Sequence, residues 1–325
     1  MSKRSTGRGA IIGAMAADAA GATLEFLGRK PDQVEVDVAL NMVGGGCWNT
    51  APGQITDDGE LALSLLGALC EMHEDSQVEF DIGIVAHHYW LWFASSPFDI
   101  GITTSNGLGG ALDNVKDQAA GMIQAALRRN MGSKANGALM RIAPLGVWGQ
   151  YVGEEDLIAA ASLDAQLTHC NPVCCMANGA YTVAIRHLVL NPKDHKGAFT
   201  AADNWVQFWR NSELMEWMQL AKDDVDVGYY PQAGFVKYAF VHAFRHLYHA
   251  RSYLEGIEET LLGGGDTDTN ACIVGGLLGA LHGEEGIPEH MRTALFNCDT
   301  ELGRPRPAFL QTSRVLEQLL QQLCG

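Results

Sequence analysis

Apolar residues recur at helical spacing along almost the whole chain. A 3.6-residue stripe runs through Ala10–Ala22, Glu60–Met72, Phe80–Ala94, Gly137–Gly149, Glu154–Leu167, Pro172–Leu190, Ala201–Gln219, Gly234–Tyr248, Ser252–Leu262, Ala271–Leu281 and Arg304–Leu323. Strand-like alternation is confined to one short stretch, VEVDVAL (Val34–Leu40). The pattern predicts an all-α fold with that stretch as its only strand candidate. Thr, Ser and Asp stand at many of the expected helix starts, as capping chemistry prefers.

No Pro/Ser-rich linker, low-complexity tract or internal repeat interrupts the pattern. A single compact multi-helix domain over residues 9–325 follows, preceded by a flexible basic N-terminus over residues 1–8. The polar run NPKDHKG (Asn191–Gly197) reads as a turn between helices.

Composition narrows the function. The chain has 325 residues, is 47% hydrophobic and 18% charged, and carries a formal net charge of −16. That charge argues against a nucleic-acid partner, because phosphate backbones are held largely by Lys and Arg. It leaves open a nucleotide-like ligand held by helix N-termini, backbone N–H groups and metals. The start of the chain mimics a signal peptide, but Asp18 breaks its apolar run and Glu25 follows, so it reads as the first helix. No uninterrupted run of ~18 apolar residues is present, so no membrane span is expected. Cys170, Cys174 and Cys175 cluster without CxxC spacing, and the other five cysteines are scattered. Free thiols in a reducing, cytoplasmic setting are the expected reading.

Two acidic motifs carry the candidate chemistry. In PGQITDDGELALSLLGALC (Pro52–Cys70), Thr56, Asp57 and Asp58 open an apolar helix. In GGGDTDTNA (Gly263–Ala271), Asp266, Asp268 and Thr269 open another. Helix capping accounts for one acid at such a position but not for a second one two residues on, which adds repulsion without a cap. Burying these carboxylates is costly unless something pairs with them, and no Lys or Arg lies nearby in the sequence. Together the motifs supply four carboxylates and two hydroxyls, a hard oxygen set that selects Mg²⁺, Mn²⁺ or Ca²⁺ over zinc. Two ions sharing bridging carboxylates balance that charge better than one.

The pairing of TDDGELAL with GGDTDTNA resembles the ADP-ribosylglycohydrolase family. GAMAADAAGATLEF (Gly13–Phe26) is similar to its opening helix, and MVGGGCWNTAPGQITDD to its glycine-rich approach to the first acidic motif. NGALMRIAPLG (Asn136–Gly146) and LTHCNP (Leu167–Pro172) are similar to its two middle motifs. The five motifs occur in order over nearly the whole chain. Two departures stand out: Gly59 follows Asp58 where the family usually has Thr, and Ala17 stands where it usually has Gly. Neither removes an expected ligand.

The resemblance implies two Mg²⁺ or Mn²⁺ ions held by Thr56, Asp57, Asp58, Asp266, Asp268 and Thr269. It implies hydrolysis of a glycosidic bond at C1″ of ADP-ribose. It makes Glu25 the active-site glutamate that assists the attacking water. The loop SSPFDIGITTSNG (Ser95–Gly107) is similar to one that, in the family's arginine-directed, dinitrogenase-reductase-activating branch, turns an Asp toward the substrate arginine. Asp99 takes that place and suits bidentate pairing with a guanidinium. Backbone N–H groups in GSKANGALMR (Gly132–Arg141) suit a diphosphate, with hydrogen bonds from Ser133 and Asn136. Lys134 adds charge there or faces solvent, and Arg141 ties the loop to a neighbouring carboxylate. By resemblance His169 faces the ribose-phosphate side. Tyr229 or Tyr230 is a candidate to stack on adenine. His242 and His246 have i, i+4 spacing, but no HExxH accompanies them, so they read as core or helix-surface residues.

These readings combine into a dinuclear hydrolase that removes mono-ADP-ribose from arginine on a modified protein, without nucleic acid or membrane. Three rivals are hydrolysis of another linkage such as ADP-ribosyl-serine, an immunity role that occludes an ADP-ribosylating toxin, and a catalytically silent structural protein of this fold.

Overall fold

The computed structural model describes residues 1–74 and 79–325. Sixteen α-helices form among the described residues, with short 3₁₀ turns between some of them and no strand. The first half holds α1 (Lys3–Gly21), α2 (Gln33–Leu40), α3 (Asp57–Glu74), α4 (Ile82–Ala94), α5 (Ile102–Leu108), α6 (Gln118–Arg129), α7 (Ala143–Trp148) and α8 (Glu154–Gln166). The second holds α9 (Pro172–Leu190), α10 (His195–Trp209), α11 (Ser212–Lys222), α12 (Val236–Tyr248), α13 (Tyr253–Gly263), α14 (Thr267–His282), α15 (Glu289–Phe296) and α16 (Thr312–Cys324).

The all-α expectation holds, and the local differences have physical causes. Val34–Leu40 is helix, not strand. Asp32 and Glu35 close a capping box at its start, and Val36 and Ala39, three residues apart, are its buried face. The stripe over Ala201–Gln219 covers two helices. Arg210 breaks it in the left-handed conformation (φ 52°), and the Asn211 side chain then caps α11 by accepting from Leu214 N–H at 3.0 Å. Helix begins only at Ala143 in the Gly137–Gly149 segment and only at Thr312 in Arg304–Leu323. Residues 1–8, expected as a flexible tail, enter α1 from Lys3. Ser2 caps that helix, and the buried Arg8 pairs with Glu284 at 2.5 Å and Glu317 at 2.8 Å. Helix α9 is long and apolar enough to cross a membrane, but 72% of its apolar window is buried inside the protein.

Helices α1 and α14 form the centre and lie antiparallel with their backbones in near contact. A Cβ on Gly9 would stand 2.2 Å from the Gly279 carbonyl oxygen, and one on Gly275 would stand 2.4 Å from the Gly13 oxygen. At the other end, a Cβ on Gly21 would meet the Thr267 carbonyl oxygen at 2.4 Å. Glycine is therefore required along this seam, and the seam delivers the end of α1 to the start of α14. Helix α3 packs alongside, with α12 and α13 against the far side of α14.

A buried ion pair holds the middle of the chain. Arg141 and Asp164 are fully buried and meet at 3.1 Å, and Arg141 also donates to Thr168 Oγ1 at 2.9 Å. This is the loop-to-carboxylate tie expected of Arg141.

The seam is testable. Gly275→Ala should cost about 3 kcal/mol in denaturant unfolding, because the clash is with backbone and cannot be relieved by a rotamer change. Gly109→Ala is the control: its φ is −58° and nothing lies within 4 Å of the added Cβ, so the change should stay within about 0.5 kcal/mol.

Candidate active site

The seam, the start of α3 and the start of α14 converge on one cleft of about 440 Å³. Its lining includes Glu25, Asp57, Asp99, Asp266 and Asp268, and it includes no Lys or Arg. Thr269, Asn136 and His169 complete the polar wall. Asp58 and Thr56 lie just beneath, fully buried.

Each acid is placed by a local device. Asp57 and Asp58 occupy the first turn of α3 and Asp268 the first turn of α14. Both helices thus point their positive ends at the carboxylates, which lowers the cost of gathering them. Asp266 takes the N-cap position of α14 but makes no side-chain cap bond; it accepts from Asn136 Nδ2 at 2.8 Å instead. Capping therefore does not account for the second motif. Glu25 lies in the turn that follows α1 and accepts from Trp48 Nε1 at 2.6 Å. Asp99 has no Lys or Arg partner among the described residues.

Asp18 belongs to this cluster and was not singled out from the sequence as a site residue. It is fully buried in α1. It accepts from Thr56 Oγ1 at 2.7 Å, from Thr56 N–H at 3.0 Å and from Gly59 N–H at 2.9 Å. Asp18 thereby fastens the start of α3 to α1. The available signal was one carboxylate in a stretch, Gly9–Ala22, otherwise built of Ala, Gly and apolar residues. Gly59 is also explained: a Cβ there would stand 2.5 Å from Asp18 Oδ2.

The electrostatics are those of acids without counter-charge. Burial, reinforced by the neighbouring carboxylates, pushes Asp57, Asp58 and Asp268 well above the usual carboxylate range. Burial and then Asp99 push Glu25 up to about 8, and burial and then Asp266 push Asp99 up to about 6. Asp18 is raised to about 7 by burial, against the hydrogen bonds from Thr56 and Gly59 that pull it down. Asp58 Oδ1 is buried with no hydrogen-bond partner among the described residues. Carboxylate oxygens of Asp18, Asp58 and Asp268 lie within 4.8 Å of one another, as do those of Glu25, Asp99 and Asp268. An orphaned buried oxygen among converging carboxylates fits hard divalent cations bound by oxygen.

The remaining expected residues divide. His169 lines the cleft as a neutral imidazole, its pKa pushed down to about 3 by burial, with Nδ1 2.8 Å from Thr168 Oγ1. Gly132 and Ser133 do not line the acidic cleft. The Ser133 hydroxyl is engaged with Thr103 Oγ1 at 3.0 Å, and Gly132 lines an adjoining groove that shares Ala135, Ala233 and Gly234 with the cleft. Lys134 pairs with Glu213 at 2.7 Å. Tyr229 is buried and stacked on His242, so it is not open to a base. The Tyr230 hydroxyl accepts from Gly265 N–H at 3.1 Å.

Comparison with known proteins agrees with this geometry. The ADP-ribosylglycohydrolase family profile matches residues 1–323. The chain belongs to the ADP-ribosylglycohydrolase family. It is 26% identical to the ADP-ribosyl-[dinitrogen reductase] glycohydrolase of Rhodospirillum rubrum, over 93% of this chain and 94% of that protein. It is also 26% identical to the ADP-ribosylarginine hydrolase Tri1 of Pseudomonas putida (strain GB-1), over 86% of this chain and 71% of that one. A solved ADP-ribosylglycohydrolase-related protein complex shares the fold, with a TM-score of 0.74 and 22% identity over 99% of this chain and 96% of that chain. Membership makes this an ADP-ribosyl glycohydrolase, in a family whose hydrolysis depends on metal.

A family member with this cleft should trade stability for ligand affinity. In a chelator, Asp58→Asn should unfold with a stability about 1 kcal/mol higher than the parent, because one of several mutually repelling acids is gone. Mg²⁺ or Mn²⁺ at about 100 times its Kd should stabilise the parent by about 2.7 kcal/mol and the variant far less. Thermal unfolding with and without metal measures both.

Proposed function

We propose that this glycohydrolase cleaves ADP-ribosyl-arginine on modified proteins, reversing an ADP-ribosyltransferase, with two Mg²⁺ or Mn²⁺ ions as cofactors. The observation that supports it most is Asp99. It is a carboxylate in the cleft wall without a cationic partner, and its oxygen lies within 4.8 Å of oxygens of Glu25 and Asp268. A guanidinium presents paired N–H donors that match such a carboxylate. The likeness to the Pseudomonas putida ADP-ribosylarginine hydrolase supports the same linkage.

Thr56, Asp57, Asp58, Asp266, Asp268 and Thr269 would hold the cations, with Asp268 common to both carboxylate groups. Cations held there supply Lewis-acid polarisation of substrate oxygens. The chain's own groups do the rest. Asp99 pairs with the guanidinium and orients the C1″–N bond. Glu25, fixed by the Trp48 N–H, positions the attacking water, and would take its proton once cations in the cleft favour its carboxylate form. Water oxygen bonds to C1″, the C1″–N bond breaks, and the proton taken by Glu25 passes to the leaving arginine nitrogen. ADP-ribose and unmodified arginine leave. Asn136 and the neutral His169 face the ligand's polar backbone. The groove past Gly132 continues the cleft and suits the distal part of a dinucleotide-sized ligand. The cytoplasm is the proposed setting, consistent with the lack of disulfides among the described residues.

The test is ADP-ribose release from an arginine-ADP-ribosylated protein in Mg²⁺ or Mn²⁺ and in EDTA. Release should need metal and should fall at least about 10³-fold in Asp268→Ala. Asp99→Ala should lower kcat/KM by about 10–100-fold, the worth of one charged hydrogen-bonded pair. Release from a serine-linked peptide but not from the arginine-linked one would replace the linkage. Tight binding of an ADP-ribosyltransferase toxin with no hydrolysis of either would replace the activity with occlusion.

A further inference from the structure

Helices α12 and α13 bury a second cluster of potential metal ligands behind the glycine run that leads to Asp266. His242 and His246 sit one turn apart on α12, and Glu259 faces them from α13. One ligand atom from each lies within 4.8 Å of the other two. Both histidines are at most 1% exposed. Among the described residues no hydrogen bond of ordinary geometry reaches either ring nitrogen of His242 or His246 Nε2, although the Gly228 backbone lies close enough to His242 to raise its pKa. Buried ring nitrogens are normally paired, so three orphans in one place need an explanation. A small cavity of about 190 Å³ opens onto His242, Glu259 and Asp226.

We propose that His242, His246 and Glu259 bind one Zn²⁺-class transition-metal ion, with Asp226 or water as the fourth ligand. Two imidazoles with a carboxylate are a borderline donor set that selects Zn²⁺ or Co²⁺ over the hard ions suited to the acidic cleft. Asp226 Oδ1 is 3.6 Å from His242 Nε2. Tetrahedral ligation at roughly 2.1 Å asks for side-chain movement of about 1 Å. Burial lowers the pKa of His242 to about 4 and of His246 to about 2, so both rings are neutral, the form that ligates.

Charged groups of both signs surround the cluster. Arg245 and Arg251 both bond to Asp224, and Arg245 also holds Glu259 Oε1. The Oε2 oxygen is looser, 3.7 Å from Arg251 Nε and 4.0 Å from His246 Nδ1. Arg251 Nη1 approaches His246 Nδ1 at 3.3 Å, which leaves Nε2 as the open nitrogen of that ring. Lys30 lines the outer side of the cavity and is exposed.

The location gives the ion a structural role. Tyr229 stacks on His242 with ring centroids 4.4 Å apart, and its ring fills the space that a Cβ on Gly263 would enter. An ion here would staple α12 to α13 directly behind Gly263–Gly265, the segment that sets Asp266. The i, i+4 histidines were visible in the sequence, but Glu259 comes from the next helix, where no motif announces it.

The test uses the full chain, stripped of metal and then held in excess Mg²⁺ so that the oxygen cleft is filled. Co²⁺ is titrated and visible absorption recorded. One equivalent should give the intense bands of four-coordinate nitrogen and oxygen ligation, and Zn²⁺ should displace it. The bands should vanish in His242→Gln and in Glu259→Gln, each checked for folding by circular dichroism, and should survive in Asp268→Asn. On the unsubstituted chain, Zn²⁺ should move the ring ¹⁵N resonances of two histidines. A wild-type chain with no intense bands, bands retained in both folded variants, or no histidine shift would each overturn the proposal.

Discussion

The contact between the backbones of α1 and α14 is the constraint on which the rest of the molecule depends. Glycines on both helices remove the side chains that would hold the axes apart. The close approach fixes the register of one helix against the other. That register puts Asp18 and Glu25, from the first twenty-five residues, beside Asp268, from the last sixty. Asp18 then draws the start of α3 to the same point through Thr56 and Gly59. A site assembled from distant parts of the chain needs such a rigid reference, because carboxylates will not gather of their own accord.

Those carboxylates work against folding. Several acids sit buried within a few ångströms of one another, with two helix N-termini and a few hydrogen bonds as their only internal compensation. The scaffold around them is correspondingly firm. Arg141–Asp164, Arg306–Glu60 and Arg8–Glu284 each bury charge with an opposite partner. The contrast is informative: Asp164, Glu60 and Glu284 each meet an arginine, whereas the cleft acids and Asp18 have none among the described residues.

Much of this was legible in the sequence. Helical periodicity marked α9 to the residue and most other long helices within a few positions. The two acidic motifs stood out because a second Asp, two residues after the first, serves no cap. Helices α5, α6 and α15 fell outside the expected stripes, although α6 buries a regular face of Ala119, Met122, Ala125 and Ala126; two other differences depend on information periodicity does not carry. VEVDVAL alternates like a strand, yet the Asp32–Glu35 capping box and the burial of Val36 and Ala39 make it a helix. The stripe over Ala201–Gln219 did not show the reversal at Arg210, since a left-handed residue leaves the apolar spacing almost intact. Asp18 was read as an interruption of an apolar run when it was the anchor of α3. Gly132 and Ser133 were read as ligand-binding from loop chemistry; Gly132 lines the groove that adjoins the cleft, and Ser133 bonds to Thr103 in the cleft wall.

The cation-free lining has a consequence for how the ligand arrives. ADP-ribose carries its diphosphate toward a cleft lined by five acids, on a protein with a net charge of −16. Its approach runs uphill in the protein's field until the charge in the cleft is balanced. In the cation-free protein encounter is slowed rather than steered to the extent that these acids are ionised, and added salt, by shortening the Debye length, weakens that repulsion. For an enzyme of phosphate-bearing ligands this inverts the usual dependence of association rate on ionic strength. It also means that whatever neutralises the carboxylates governs how often the substrate reaches them, before any bond is broken.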